Sequence, residues 1–217
     1  MEQPTHQDDQ EPQTGGSDAE DTRPYIVGIG GAGRAGSSTE KALAITLKAV
    51  EDLGARTELF GGEQLSKLPL YDPTGGGVRT PEELAFIAAV RRADGFVIGT
   101  PAYHGGVAGV VKNALDLLEE TAKDPRPYMD GRAVGLVVTA YGWQATGVTL
   151  TSMRSITHAL RGWPTPVALT LNATGGLFDE NGRFKDGRFE ETARLIATQI
   201  MHFTSAGQSS RSTATAT

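Results

Sequence analysis

Thr100-Pro101-Ala102-Tyr103-His104-Gly105-Gly106-Val107-Ala108-Gly109-Val110-Val111-Lys112-Asn113-Ala114-Leu115-Asp116 is the stretch on which the fold turns. An apolar run over 94–100 precedes the glycines, and residues 107–120 carry the spacing of an amphipathic helix. A glycine-bearing loop between a strand and a helix belongs at the carboxyl edge of a parallel sheet, where open α/β proteins take their ligands. The loop suits a flat aromatic ligand. Pro101 fixes a turn, Tyr103 offers a ring, and the glycines leave the backbone bare.

Outward from this stretch, strands and helices alternate. Strands are predicted over 25–30, 56–60, 94–100, 133–139 and 166–171. Helices are predicted over 38–53, from 80 onward, and over 107–120, 147–160 and 190–203. Thr80-Pro81-Glu82-Glu83 reads as a helix start, with Thr80 as N-cap, Pro81 in the first turn and Glu83 completing a capping box. This alternation predicts an α/β fold, a flavodoxin-like three-layer sandwich with a five-stranded parallel sheet of order 2-1-3-4-5. Residues 24–203 form the expected domain. The acidic segment 1–23 and the Ser/Thr/Ala-rich segment 204–217 are expected to be disordered.

Composition closes several routes. The net charge of −6 is concentrated in residues 1–23, which hold seven acids and one base, so the core is near neutral. Nucleic acid and anionic membranes both call for a basic face that the core lacks. Cysteine is absent, which removes disulfides, thiolate metal sites and cysteine nucleophiles, so redox chemistry would have to come from a bound cofactor. No apolar run approaches a membrane-spanning length, and the amino-terminal residues lack the pattern of a signal peptide, so a cytoplasmic location is expected.

The first loop is Gly28-Ile29-Gly30-Gly31-Ala32-Gly33, which matches G-x-G-x-x-G and by itself points to a dinucleotide. The acidic partner such a motif needs at the end of the second strand is missing, because Glu58 is followed by Leu59 and Phe60 within the strand. The continuation, Arg34-Ala35-Gly36-Ser37-Ser38-Thr39, offers a guanidinium, three hydroxyls and a helix N-terminus. That set suits a terminal phosphate monoester. A competing reading makes Ser37 or Ser38 a simple helix cap and Arg34 a solvated surface residue. Asp179-Glu180-Asn181-Gly182 lacks the full oxygen spacing of a calcium loop and reads as a turn.

With both loops in view, the chain resembles the NADPH-dependent FMN reductase family over residues 24–203. Thr-Pro-x-Tyr-x-Gly followed by Gly-x-x-Lys-Asn-Ala-Leu-Asp carries the resemblance, together with 68–73 (LPLYDP) and 160–166 (LRGWPTP). The resemblance implies an enzyme with FMN at three loops and NADPH or NADH as hydride donor. Arg34, Ser37, Ser38 and Thr39 would hold the phosphate, with Ala32 standing where the family loop carries a serine. Pro101, Ala102, Tyr103, His104 and Gly105 would line the ring, with Ala102 and His104 in place of a commoner Glu and Asn. Ala140, Tyr141 and Gly142 would approach the pyrimidine edge. No catalytic side chain and no metal are expected, since the flavin carries the hydride chemistry. His104 is expected to act through its backbone, and Lys112, Asn113 and Asp116 to be structural. Trp143 is expected to cover the ring or to anchor an interface.

The resemblance further implies a small-molecule electron acceptor (free flavin, a quinone or another electrophile), and a homodimer or homotetramer. A flavin-dependent monooxygenase is a further implied partner. The segment 61–80 is expected to contribute to oligomer contacts and to the rim of the site. Two other readings remain open at this stage. One is a flavodoxin-type electron carrier; the other is a dehydrogenase built on the first glycine loop.

Overall fold

The computed structural model describes residues 21–74 and 79–215, with side chains described to Gly207. The elements are, in chain order, β1 (Tyr25–Gly30), α1 (Ser38–Glu51), β2 (Arg56–Phe60), α2 (Gly62–Ser66), α3 (Pro81–Arg92), β3 (Gly95–Tyr103), β4 (Gly106–Val107) and α4 (Gly109–Asp116). A 3-10 turn follows at Leu117–Thr121. Then come β5 (Ala133–Ala140), α5 (Trp143–Ala159), β6 (Trp163–Pro164), β7 (Leu169–Asn172) and α6 (Gly187–Thr215).

The main strands are parallel and lie in the order β2-β1-β3-β5, with β6 and β7 sharing the outer edge of β5. The α/β sandwich is the expected one, and the order differs in detail. Where one fifth strand over 166–171 was expected, two short strands pair with the start and the end of β5. Pro164 and Pro166 cause the split, because proline cannot donate to a ladder. Thr165 bridges the gap, its amide bonded to the Val134 carbonyl (2.9 Å) and its hydroxyl to the Val167 carbonyl (2.7 Å). The other addition is β4, an antiparallel strand folded back on the end of β3.

Every residue of β1 and of β5 is buried, as is β3 up to Ala102, which is the pattern of a sheet covered on both faces. One face packs Ile26, Val97 and Val137 under Leu43 and Leu47 of α1 and Ile196 and Ile200 of α6. The other packs Val27, Ile29, Phe96 and Ile98 under Phe86 of α3, Val111 and Leu115 of α4, and Met153 of α5. The first-loop glycines serve this packing. A Cβ on Gly30 would lie 2.0 Å from the Gly99 carbonyl oxygen, and one on Gly99 would lie 2.7 Å from Leu43 Cγ. Leu43 thus occupies the space above two adjacent glycines of β1 and β3. Helix α6 runs away from the carboxyl edge, since Ile196 lies over Gly135 and Ile200 over Gly95, near the starts of β5 and β3.

Several boundaries differ from the sequence pattern for identifiable reasons. Helix α5 begins at Trp143, four residues before the expected start at Gly147. Helix α4 ends at Asp116 and continues as the 3-10 turn, and α6 runs well past Phe203, where its end was expected. Thr80 caps α3 as predicted, its hydroxyl accepting from the Glu83 amide (3.2 Å). The Glu83 carboxylate, however, turns to Arg79 instead of closing the capping box. The residues 179–182 form the expected turn, with the Asp179 carboxylate accepting from the amides of Asn181 and Arg183 (both 2.9 Å). Most of the acidic segment 1–23 lies outside the described residues.

Candidate functional site

Parallel strands bring Gly30, Tyr103, Ala140 and Asn172 to one edge, and the loops leaving them border a cleft of about 500 Å³, open mouth included. The first loop supplies Ala32, Arg34 and the start of α1. Ser37 is the N-cap: its backbone is extended (φ −65°, ψ 157°), and its hydroxyl accepts from the Glu40 amide (3.2 Å). Its own proton stays available to a ligand. The Thr39 hydroxyl is buried and paired with that of Thr139 across the cleft floor (2.7 Å), tying α1 to the end of β5. Arg34 and Ser38 are exposed on the cleft wall, and neither side chain has a partner among the described residues. The capping reading therefore holds for Ser37, while the two groups left unpaired are a guanidinium and a hydroxyl at a helix N-terminus, a donor set for an anion.

The second loop is a tight hairpin. Ala102 pairs with Val107 and Tyr103 with Gly106, which leaves His104 and Gly105 as a two-residue turn. Both central residues have positive φ (53° and 75°), as a type I′ turn requires. His104 is fitted to that turn because histidine is among the few non-glycine residues that tolerate the left-handed region. Its side chain is exposed at the hairpin tip, and neither His104 nor Gly105 lines the cleft; Pro101, Ala102 and Tyr103 do. The buried Thr100 hydroxyl accepts from the Ala108 amide (2.9 Å) and donates to the Pro101 carbonyl (3.0 Å), which locks the hairpin to the start of α4.

The third loop supplies Thr139, Ala140 and Tyr141. Ala140 O accepts from the Ala173 amide (2.7 Å), and Tyr141 O from the Thr174 hydroxyl (3.0 Å). Both carbonyls thus face the exit of β7. Peptide planarity turns the amides of Tyr141 and Gly142 the other way. Gly142 does not line the cleft and serves as the N-cap of α5. Tyr103 and Tyr141, 54% and 82% exposed, line the cleft, so two tyrosine rings flank its mouth, while Trp143 is 60% exposed at the start of α5. Among the described residues Arg34 is the one charged side chain lining the cleft, and they hold no cluster of groups able to ligate a metal ion.

The described part of the segment 61–80 does not line the cleft. Asn113 of α4 clamps it, accepting from the Tyr71 amide (2.9 Å) and donating to the Pro69 carbonyl (2.8 Å). Lys112 pairs with Asp116 on the helix surface (2.6 Å), and His158 is exposed near the end of α5. Thr139, Ala173 and Glu40 stand at the site without having been expected there. Ala173 sits just past β7, whose end lay outside the predicted strand. Glu40 stands three residues after Ser37, the S-x-x-E spacing of a capping box, and that spacing was a signal for it.

No helix among the described residues is long and apolar enough to cross a membrane. An FMN-dependent NADPH-azoreductase of Staphylococcus aureus is 32% identical over 113 residues, which is 51% of this chain and 56% of that protein. The chain thus spans about half the length of the curated relatives it matches. Solved structures share the fold. The flavoenzyme NAD(P)H:(acceptor) oxidoreductase FerB from Paracoccus denitrificans aligns with a TM-score of 0.64 at 17% identity, covering 86% of this chain and 98% of FerB. An apo NADH:FMN oxidoreductase, EmoB, aligns with a TM-score of 0.60 at 20% identity, covering 84% of this chain and 89% of EmoB. The family model described as NADPH-dependent FMN reductase matches residues 24–175, the stretch that contains the first two loops, the third loop and the end of β7, and the chain belongs to that family.

Proposed function

We propose that this protein is an FMN-dependent oxidoreductase that takes hydride from NADPH or NADH and passes it to a small electrophilic acceptor. The observation that carries this reading is the convergence of three loops, distant in sequence, on one cleft with a polar cationic end and an apolar end. The fit to FMN rests on the donor set. Arg34, Ser38, the free Ser37 proton and the first amides of α1 match a phosphate dianion. Ala102, Ala140 and Ala173 give the other end smooth, small-side-chain walls that suit a flat ring.

When bound, FMN would supply the hydride chemistry. The chain's own part is to hold and orient it. Pro101 and Ala102, fixed by the Thr100 bridge, would back the ring, and the Tyr141 amide would offer a donor to its polar edge. Among the described residues no carboxylate lines the cleft, and Arg34 does, which favours negative charge there. Free flavin, a quinone or an azo compound would serve as acceptor. The same reading makes the protein a cytoplasmic homodimer or homotetramer, with a flavin-dependent monooxygenase among the consumers of reduced flavin. The exposed aromatic mouth is consistent with such contacts.

The test is the visible spectrum of the purified protein, followed by identification of the released cofactor and direct assay of NADPH oxidation. Flavin absorption, release of FMN and NADPH oxidation without a second reductase are expected. Arg34→Ala should weaken FMN binding while leaving turnover at saturating FMN close to that of the parent. A colourless protein that binds NADP(H) and no flavin would overturn the reading.

A further inference from the structure

Glu40 lies in the first turn of α1, yet its carboxylate reaches two separate loops. One oxygen accepts from the Gly36 amide of the first loop (3.0 Å), and the other from the Gly62 amide just after β2 (2.7 Å). The loops meet there without side chains between them. A Cβ on Gly31 would lie 2.6 Å from the Gly62 nitrogen, one on Gly62 would lie 2.7 Å from the Arg34 carbonyl oxygen, and one on Gly61 would lie 2.7 Å from a Glu40 oxygen. Arg34 itself, the exposed cation of the cleft, is thus carried on a stretch of backbone pressed against Gly62.

We propose that Glu40 is a positioning residue for the phosphate end of the cleft: it braces the 31–36 loop against residues 61–62 and so fixes where Arg34 and the α1 amides point. The proposal rests on the flavin reading given above. A carboxylate beside an anion site is unfavourable unless its charge is met by donors, and here two backbone amides meet it. It also holds the Gly36 amide, leaving the anion to Arg34, Ser38, the free proton of Ser37 and the first amides of α1.

The readout is the preference for FMN over riboflavin, which lacks the phosphate. Dissociation constants for both flavins are measured by fluorescence titration on the full chain, for the parent, Glu40→Ala and Glu40→Gln. The parent should bind FMN at least about tenfold more tightly than riboflavin, the worth of one charge-assisted hydrogen bond or more. Glu40→Ala should weaken FMN about tenfold and leave riboflavin within about twofold. Glu40→Gln keeps one acceptor and should fall between them. In flavin-free protein, exchange at the Gly36 and Gly62 amides should accelerate together in both variants. Equal weakening of both flavins, or none, overturns the proposal while leaving the flavin reading intact. A parent chain that binds both flavins equally overturns the phosphate assignment and the proposal with it, and one that binds neither overturns the flavin reading as well.

Discussion

The Thr39–Thr139 pair permits a double-variant test whose magnitude follows from the structure. Both residues are buried, 1% and 4% exposed, and their hydroxyls lie 2.7 Å apart. Valine has nearly the shape of threonine and the same stiffness at χ1, so Thr39→Val or Thr139→Val opens no cavity. Each single change strands the surviving hydroxyl in the interior, which costs about 1–3 kcal/mol. The double change removes both polar groups, replaces them with methyls in contact, and should cost less than about 1 kcal/mol. Taking about 2 kcal/mol for each single change, the coupling between the sites is about 3 kcal/mol, at the upper end of what contacting residues show. In a domain of this size the singles should melt about 4–8 °C below the parent and the double within about 3 °C of it. Urea denaturation at constant slope gives the free energies directly. A double variant whose loss equals the sum of the singles would mean that the hydroxyls do not pair, and that α1 and β5 are joined some other way.

Other expected outcomes are as follows. His104→Val should destabilise the hairpin by about 1–2 kcal/mol, because a β-branched side chain is strained at positive φ, whereas His104→Asn should be near neutral in melting temperature and in turnover. A large loss of turnover in His104→Asn would give the imidazole a chemical role. Asn113→Ala should speed amide exchange at Tyr71 by at least about tenfold through loss of the clamp, and unchanged exchange would argue against it. The Asp21 carboxyl, hydrogen-bonded to Arg23 and beside Arg56, is held well below the usual 3.8, at about 2. Its folded value is depressed, so its contribution is fully present above the unfolded value and is lost as pH falls through about 2. An NMR titration midpoint for Asp21 near 3.8 would refute that pairing.

The layers of the fold were legible because β1, β3 and β5 are largely apolar, with hydroxyls only at Thr100, Tyr103 and Thr139 near the ends of β3 and β5 and at Tyr25 opening β1, and α1 buries Leu43, Leu47 and Val50 at helical spacing. The edge was not, since the strand expected over 166–171 forms only from Leu169, and the two-residue pairing at Trp163–Pro164 ahead of it is too short to show a period. The start of α5 was obscured by Gly147, a weak helix former that tertiary packing overrides. At the site, the sequence identified the three loops but not the division of labour within them. Ser37, Ser38 and Thr39 look interchangeable in sequence, and their burial and partners give each a different task. His104 drew attention as a titratable group, while its backbone angle explains its presence in the hairpin. Ala173 joins the cleft only through the pairing of β7 with β5, a contact no local pattern encodes.

The direction of α6 bears on how the molecule can be handled. Asp21 enters beside Arg56 at the start of β2, and α6 leaves past Ile200, over the start of β3. Both described ends of the chain therefore depart from the amino edge of the sheet, opposite the cleft. A linker to an electrode joined directly at Asp21, or in the last turns of α6, would hold the domain from the side opposite Tyr103 and Tyr141, so an immobilised film would present its cleft to dissolved compounds.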